Sequence, residues 1–139
     1  MMEINLRRID DAYHMEATNE DGNVVFTDGS PDIGGGNKAM RPMQMLLTAL
    51  AGCSSIDVIL ILKRQRQQLD DIKINIKGER EKVADANVFK KIHVHYDLYG
   101  KIKEAKAEQA VRLSMDKYCS VSKMMEKTAE ITWSYEIHG

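Results

Sequence analysis

The chain has 139 residues, 43% hydrophobic and 29% charged, which is typical of one globular domain and excludes a disordered chain. Its 20 basic and 21 acidic residues nearly cancel, so no strong field exists to attract nucleic acid or an anionic membrane. Two cysteines are also too few for the disulfide framework of a small secreted protein.

The N-terminal segment, residues 1–8, lacks the basic start and long apolar run of a signal peptide. We therefore expect a cytoplasmic protein. In that compartment thiols are normally reduced, and a cysteine pair is more often catalytic or redox-sensing than structural.

The first third of the chain predicts three short strands, at residues 4–9, 13–17 and Val24–Thr27, with a tight turn at 19–23. A glycine-rich connection follows at residues 28–37. Its three consecutive glycines are not followed by the Lys-Ser/Thr of a phosphate-binding loop, so we expect a flexible loop there.

A long apolar helix is predicted over residues 43–62, with Pro42 suited to its first turn. The helix is apolar on nearly all sides, which predicts burial on nearly all sides. Its internal polar residues and the basic residues 63–66 favour a buried soluble helix over a membrane span. Because so small a chain can hardly cover such a helix alone, we expect a homodimer.

The second half of the chain predicts two half-buried strands, because apolar and polar residues alternate at 72–76 and 92–98. We expect a polar turn at 79–87 between them. Helices at 103–117 and 120–127 and a last strand at 129–137 complete the order β-β-β-α-β-β-α-α-β. This order is α+β, in a single domain of residues 1–139.

The two cysteines have different predicted settings. Cys53 lies mid-helix among apolar residues, where a free cysteine is usually structural. Asp57 lies one turn further on, and its carboxylate would oppose ionisation of Cys53 if it faced the thiol. Cys119 precedes a predicted helix start, where free N–H groups and the helix dipole favour the thiolate. With Lys123 one turn ahead, we expect Cys119 to be the more reactive thiol.

The histidines do not predict a metal site. His93 and His95 share one strand face, and we expect no cysteine or carboxylate at ligand spacing beside them. They are interpreted as solvated polar residues, and no metal or other cofactor is expected.

Three segments resemble the OsmC/Ohr family. Residues 42–58, PMQMLLTALAGCSSIDV, resemble the family's first-cysteine helix, and residues 74–80, INIKGER, resemble the strand that follows it. Residues 118–123, YCSVSK, resemble its second-cysteine motif. The motifs occur in the family's order, and the resemblance covers nearly the whole chain.

The resemblance implies an OsmC-like fold, with antiparallel sheets packed on a long buried central helix, and an intertwined homodimer with its sites at the subunit interface. It further implies that Cys53 is the peroxidatic nucleophile, whose thiolate attacks an organic hydroperoxide. Cys119 would then be the resolving thiol, and a dithiol would reduce the resulting disulfide.

The sequence departs from the family's peroxidases at two charges. The family glutamate would fall on Met43 or Gln44, and the family arginine near residues 19–20, where no such residue stands. Arg41 or Arg7 are the candidates to substitute for that arginine, with Gln44 as a further supporting residue.

Three functions therefore stay open. The first is a thiol-dependent redox enzyme that reduces hydroperoxides. The second is a non-catalytic dimer that binds a small apolar ligand in a pocket lined by Met40, Met43 and Met45. The third is a structural or interaction protein with two inert thiols.

Overall fold

The order of elements confirms the predicted α+β class. The computed structural model describes residues 1–139. Its six strands are β1 (Asn5–Arg8), β2 (Met15–Thr18), β3 (Val24–Thr27), β4 (Gln68–Val83), β5 (Ala86–Lys101) and β6 (Glu130–His138). Its helices are α1 (Pro42–Arg64), α2 (Glu104–Leu113) and α3 (Ser120–Met125), with a 3-10 turn at Pro31–Ile33 and a π-helical turn at Ser114–Tyr118.

The chain forms two compact units, Met1–Leu46 and Leu47–Gly139, and α1 begins in the first and continues into the second. The single-domain organisation thus stays a prediction. In the first unit, β1, β2 and β3 form an antiparallel sheet in chain order.

The glycine-rich connection of the first unit is fastened by the buried carboxylate of Asp28. This carboxylate accepts hydrogen bonds from the backbone N–H groups of Lys38 at 3.0 Å and Gly29 at 2.7 Å. These bonds, that of Lys38 foremost, lower the pKa of Asp28. The expectation of a flexible loop is corrected to this extent, because one carboxylate holds the backbone on both sides of the 3-10 turn.

The second unit contains the sheet β4-β5-β6, which corrects two expectations. The pairing of β5 with β6 is parallel, not antiparallel, because the chain crosses over through α2 and α3 and returns in the direction of β5. The predicted polar turn at 79–87 is mostly strand. Only Ala84 and Asp85 connect β4 to β5, and the strands pair up to Val83 and Ala86.

Within the single chain, helix α1 is buried on one side only, as expected of a helix that one small subunit cannot cover alone. Leu50, Val58 and Leu62 are fully buried, but Ile56 is 59% exposed and Leu60 44% exposed. A single chain covers one side of this helix and leaves apolar side chains on another. By length and composition alone α1 could also span a membrane, a test that core helices of soluble proteins pass as well.

Gly100 permits the close approach of β5 to the start of β4. Its φ is +139°, and a Cβ there would lie 2.1 Å from the carbonyl oxygen of Gln68. We expect Gly100→Ala to lower the free energy of unfolding by more than about 3 kcal/mol, because backbone strain and a backbone clash add. Urea denaturation at matched protein concentration measures this loss.

Gly22→Ala is the matched control. Gly22 also has a positive φ, +84°, but nothing lies within 4 Å of its added Cβ. We expect Gly22→Ala to lower the free energy of unfolding by only about 1–2 kcal/mol, which is the cost of left-handed backbone strain. Equal losses in both variants would show that the contact with Gln68 contributes nothing.

Candidate functional site

The second unit brings together the two cysteines and Asp57. Cys53 and Asp57 lie one turn apart on the same face of α1. The sulfur atoms of Cys53 and Cys119 and a carboxylate oxygen of Asp57 all lie within 4.8 Å of one another. The two thiols therefore lie in one place, and the Asp57 carboxylate faces both of them.

A π-helical turn positions Cys119. The turn Ser114–Tyr118 widens the chain after α2, and the Cys119 N–H closes it by donating to the Ser114 carbonyl at 2.7 Å. Cys119 is then the N-cap of α3, and its sulfur accepts the Ser122 N–H at 3.4 Å. The helix start predicted from sequence is therefore present.

The structure gives Cys119 a setting opposite to the one from which its reactivity was predicted. Cys119 is 0% exposed, and this burial raises the pKa of its thiol. The neighbouring Cys53 raises the pKa further. The hydrogen bond from Ser122 lowers the pKa but does not offset the loss of solvation. Lys123 gives no help, because its ammonium pairs with Glu126 at 3.4 Å on the surface.

Three hydroxyl groups, those of Ser54, Tyr96 and Ser114, form a buried network that reaches Asp57 of the thiol site. Tyr96 donates to the Ser54 hydroxyl at 2.7 Å, and the Ser114 hydroxyl donates to the Ser54 carbonyl at 3.0 Å. The Ser114 hydroxyl also lies 3.3 Å from Asp57 Oδ2. Burial raises the pKa of Tyr96 far above its ordinary value, so its O–H stays a donor.

Sequence reasoning missed this network. The predicted strand at 92–98 places Tyr96 only among inward-facing residues, and the predicted helix at 103–117 places Ser114 in a regular helix. A usable signal existed for Tyr96, because a tyrosine among buried strand positions needs a partner for its hydroxyl.

The proposed supporting residues belong to the first unit. The Arg41 backbone N–H donates to Gln44 Oε1 at 2.9 Å at the start of α1, and the Arg41 guanidinium donates to Asn37. Arg7 pairs with Glu16 at 3.1 Å. A role for Arg41 or Gln44 in the thiol chemistry stays a prediction.

The expectation that no carboxylate stands beside the histidines is wrong. Asp97 lies two residues after His95 on the same face of β5, with 3.4 Å between Asp97 Oδ1 and His95 Nε2. The parallel neighbour β6 adds Glu136 and His138 to that face. Two groups of side chains have the spacing of metal ligands. One is His95, Asp97 and Glu136, and the other is Cys53, Asp57 and Cys119.

Comparisons with known proteins agree with this fold. A family model described as OsmC-like protein matches residues 35–134. Protein YhfA of Escherichia coli strain K12 is 41% identical over 117 residues, which cover 84% of each chain. A hypothetical protein from Aquifex aeolicus VF5 has a structure with a TM-score of 0.81 at 32% identity, covering 100% of this chain and 98% of its own.

A more distant structure carries a functional description of its own protein. The organic hydroperoxide resistance protein OsmC from Legionella pneumophila matches with a TM-score of 0.75 at 16% identity, covering 98% of this chain and 96% of its own. At that identity the likeness shows the fold alone. The resemblance seen in the cysteine motifs and the OsmC-like fold are confirmed.

The burial of Cys119 predicts the order in which the thiols are alkylated. In the native protein at neutral pH we expect iodoacetamide to label the half-buried Cys53 first. Labelling of Cys119 should accelerate only above the ordinary thiol pKa, since the raised pKa of Cys119 keeps it protonated below. Mass spectrometry of labelled peptides across a pH series measures both rates.

Two controls separate structure from intrinsic chemistry. In urea both cysteines should label at similar rates, and in Cys53→Ser the native Cys119 should stay slow. Faster native labelling of Cys119 than of Cys53 at neutral pH would contradict this assignment.

Proposed function

Because the chain belongs to the OsmC-like protein family, we propose that it is a thiol-dependent redox protein that reduces organic hydroperoxides through Cys53 and Cys119. One observation carries the proposal. The two sulfur atoms and the Asp57 carboxylate lie within 4.8 Å of one another, so a disulfide needs only a small approach of the thiols.

Solvent access supports different roles for the two thiols. Cys53 is partly exposed, as a nucleophile that meets a substrate must be, whereas Cys119 is enclosed. Burial keeps Cys119 protonated, so it neither competes for the hydroperoxide nor is oxidised on its own. Cys53 is therefore the peroxidatic thiol and Cys119 the resolving thiol.

The reaction then runs in three steps. The Cys53 thiolate attacks a peroxide oxygen, an S–O bond forms, the O–O bond breaks, and the alcohol leaves after taking a proton. The Cys119 sulfur attacks the Cys53 sulfenic acid, giving a disulfide and water. An external dithiol reduces that disulfide by exchange and is itself oxidised.

Asp57 is suited to the second step. Cys119 must lose its proton as it attacks, and the Asp57 carboxylate lies within 4.8 Å of its sulfur. The Ser114 hydroxyl beside Asp57 Oδ2 helps to orient the carboxylate. The same negative charge disfavours a thiolate nearby, so turnover should be slow.

The organic hydroperoxide resistance protein from Legionella pneumophila shares this fold, which favours hydroperoxides over other oxidants for this chain. We place the reaction in the cytoplasm, where a dithiol reductant is available. The near-zero net charge gives no reason to add nucleic acid or a membrane as partner.

The peroxidase test compares thiol variants. With a dithiol reductant, the protein should consume cumene hydroperoxide faster than hydrogen peroxide, and Cys53→Ser should abolish the activity. Cys119→Ser should complete the first oxidation but leave Cys53 to over-oxidise to the sulfinic acid, because no resolving thiol remains. Hydroperoxide consumption and mass spectrometry of both cysteines measure these outcomes.

Asp57→Asn tests the proton transfer. It should slow disulfide formation while sulfenic acid still forms at Cys53, as followed by trapping the sulfenic acid. Equal hydroperoxide consumption by the parent protein and Cys53→Ser would contradict the proposed function.

The exposed apolar side of α1 supports a homodimer. Ile56, Ile59 and Leu60, all in the second unit, are each at least 39% exposed on this helix. Such an apolar surface on one chain is the usual mark of an interface. We propose that a second copy of the chain covers it.

Sedimentation at micromolar concentration should therefore show a dimer with twice the chain mass of 15.8 kDa. Ile56→Glu should favour the monomer, because it would bury a charge in the interface. Lys123→Glu, also a surface change, should leave the dimer intact. A monomeric parent protein would contradict this proposal.

A further inference from the structure

A row of polar residues follows the face of the β4-β5-β6 sheet opposite the buried strand residues. In the parallel pairing of β5 and β6, His95 stands beside Ser134, Asp97 beside Glu136, and Tyr99 beside His138. Directly paired residues lie on the same face of a sheet, and alternate residues share that face. Two histidines and two carboxylates thus meet on neighbouring strands.

The ligating atoms of this group are close together. Asp97 Oδ1 lies 2.9 Å from His138 Nε2 and 3.4 Å from His95 Nε2, and Glu136 Oε2 lies 3.9 Å from His138 Nε2. Ligand atoms of His95, Asp97 and Glu136 all fall within 4.8 Å of one another, and His138 joins this set through its contacts with Asp97 and Glu136.

We propose that His95, Asp97, Glu136 and His138 bind one divalent cation of the zinc class. Tetrahedral zinc holds nitrogen and oxygen ligands at about 2.0–2.1 Å, which places neighbouring ligand atoms about 3.3 Å apart. The three separations of 2.9, 3.4 and 3.9 Å lie on both sides of that value. Two imidazoles favour zinc, nickel or copper over magnesium or calcium.

Both histidines are held in place by groups outside this set. His95 Nδ1 lies 2.7 Å from the Ser134 hydroxyl, which leaves Nε2 pointing toward Asp97. The His138 ring stacks on Tyr99 with 4.6 Å between centroids and 18° between planes. Such support of the second ring nitrogen and of the ring plane is usual for metal-binding histidines.

Charge and access also fit a cation. Two carboxylates balance a divalent charge, and the four side chains are between 28% and 64% exposed, so an ion can enter from solvent. Lys73 is paired with Asp97 on the β4 side, but its ammonium lies over the Tyr99 ring, 5.3 Å from the centroid.

The side chains hydrogen-bonded in a row behind His95 can rearrange their protons when an ion binds, so none of them has to gain or lose one. The Ser134 hydroxyl also bonds His93 Nε2 at 2.8 Å, and His93 Nδ1 bonds the Thr132 hydroxyl at 2.7 Å. Without a cation, protons can be donated along this row from Thr132 toward Asp97. With a cation on His95 Nε2, each of these hydrogen bonds changes direction. His95 Nδ1 then donates to Ser134, Ser134 donates to His93 Nε2, and His93 Nδ1 donates to Thr132. The Thr132 hydroxyl in turn donates to the Ile92 carbonyl, which lies 3.5 Å away.

The test uses zinc binding to the full chain carrying Cys53→Ser and Cys119→Ser, so that thiolates cannot contribute. Isothermal titration should find about one zinc per chain, and His95→Gln, His138→Gln or Glu136→Gln should each weaken the affinity by about 10-fold or more. Glu130→Gln is the matched control. It removes a carboxylate from the same face of β6, outside the proposed ligands and the hydrogen bonds behind His95, and it should leave the affinity close to that of its parent.

A second readout uses the unsubstituted chain. Cobalt binding should give a visible spectrum without a sulfur-to-cobalt charge-transfer band. Nitrogen NMR of the imidazoles should show the proton of His93, which is not a ligand, moving from Nε2 to Nδ1 at zinc saturation.

Three results would overturn the proposal. They are zinc affinity unchanged by His95→Gln and Glu136→Gln, equal weakening by Glu130→Gln, and a His93 tautomer that does not change at saturation. None of them bears on hydroperoxide reduction, which uses other residues.

Discussion

The buried hydrogen bonds at Ser54 are the interaction on which the thiol site depends. Tyr96 donates to the Ser54 hydroxyl from β5, and Ser114 donates to the Ser54 carbonyl from the turn before α3. One residue of α1 thereby fixes the strand and the turn that carries Cys119. Leaving a buried polar group without its partner costs about 1–3 kcal/mol, so these bonds also restrict where the turn can lie.

Different degrees of desolvation then give the two cysteine side chains different chemical properties. Cys119 follows the turn that Ser114 fixes and is fully buried, and this burial raises the pKa of its thiol. Cys53 is on the same helix as Ser54 but remains partly open to solvent. An accessible thiol beside an enclosed one is the arrangement that a nucleophile and its resolving partner require, because only the first must meet a bulky peroxide.

The parallel pairing of β5 with β6 organises both faces of the second sheet. On the inner face, Val94, Tyr96 and Leu98 are completely buried and complete the core against which the thiols lie. On the outer face the same register aligns Asp97 with Glu136. Because strand residues alternate between faces, one register sets the apolar packing inside and the polar row outside.

The sequence by itself determined the class and order of the elements, since period-two alternation marks β5 and β6, and Pro42 marks the start of α1. The cysteine motifs also identified the family. The tertiary structure alone decided the burial of Cys119, which raises the pKa of its thiol, and the surroundings of His95. A helix start is a local signal, whereas burial depends on distant segments, and the sequence could not weigh one against the other. The partners of His95 on β6 are also distant in sequence, and only strand pairing brings them together.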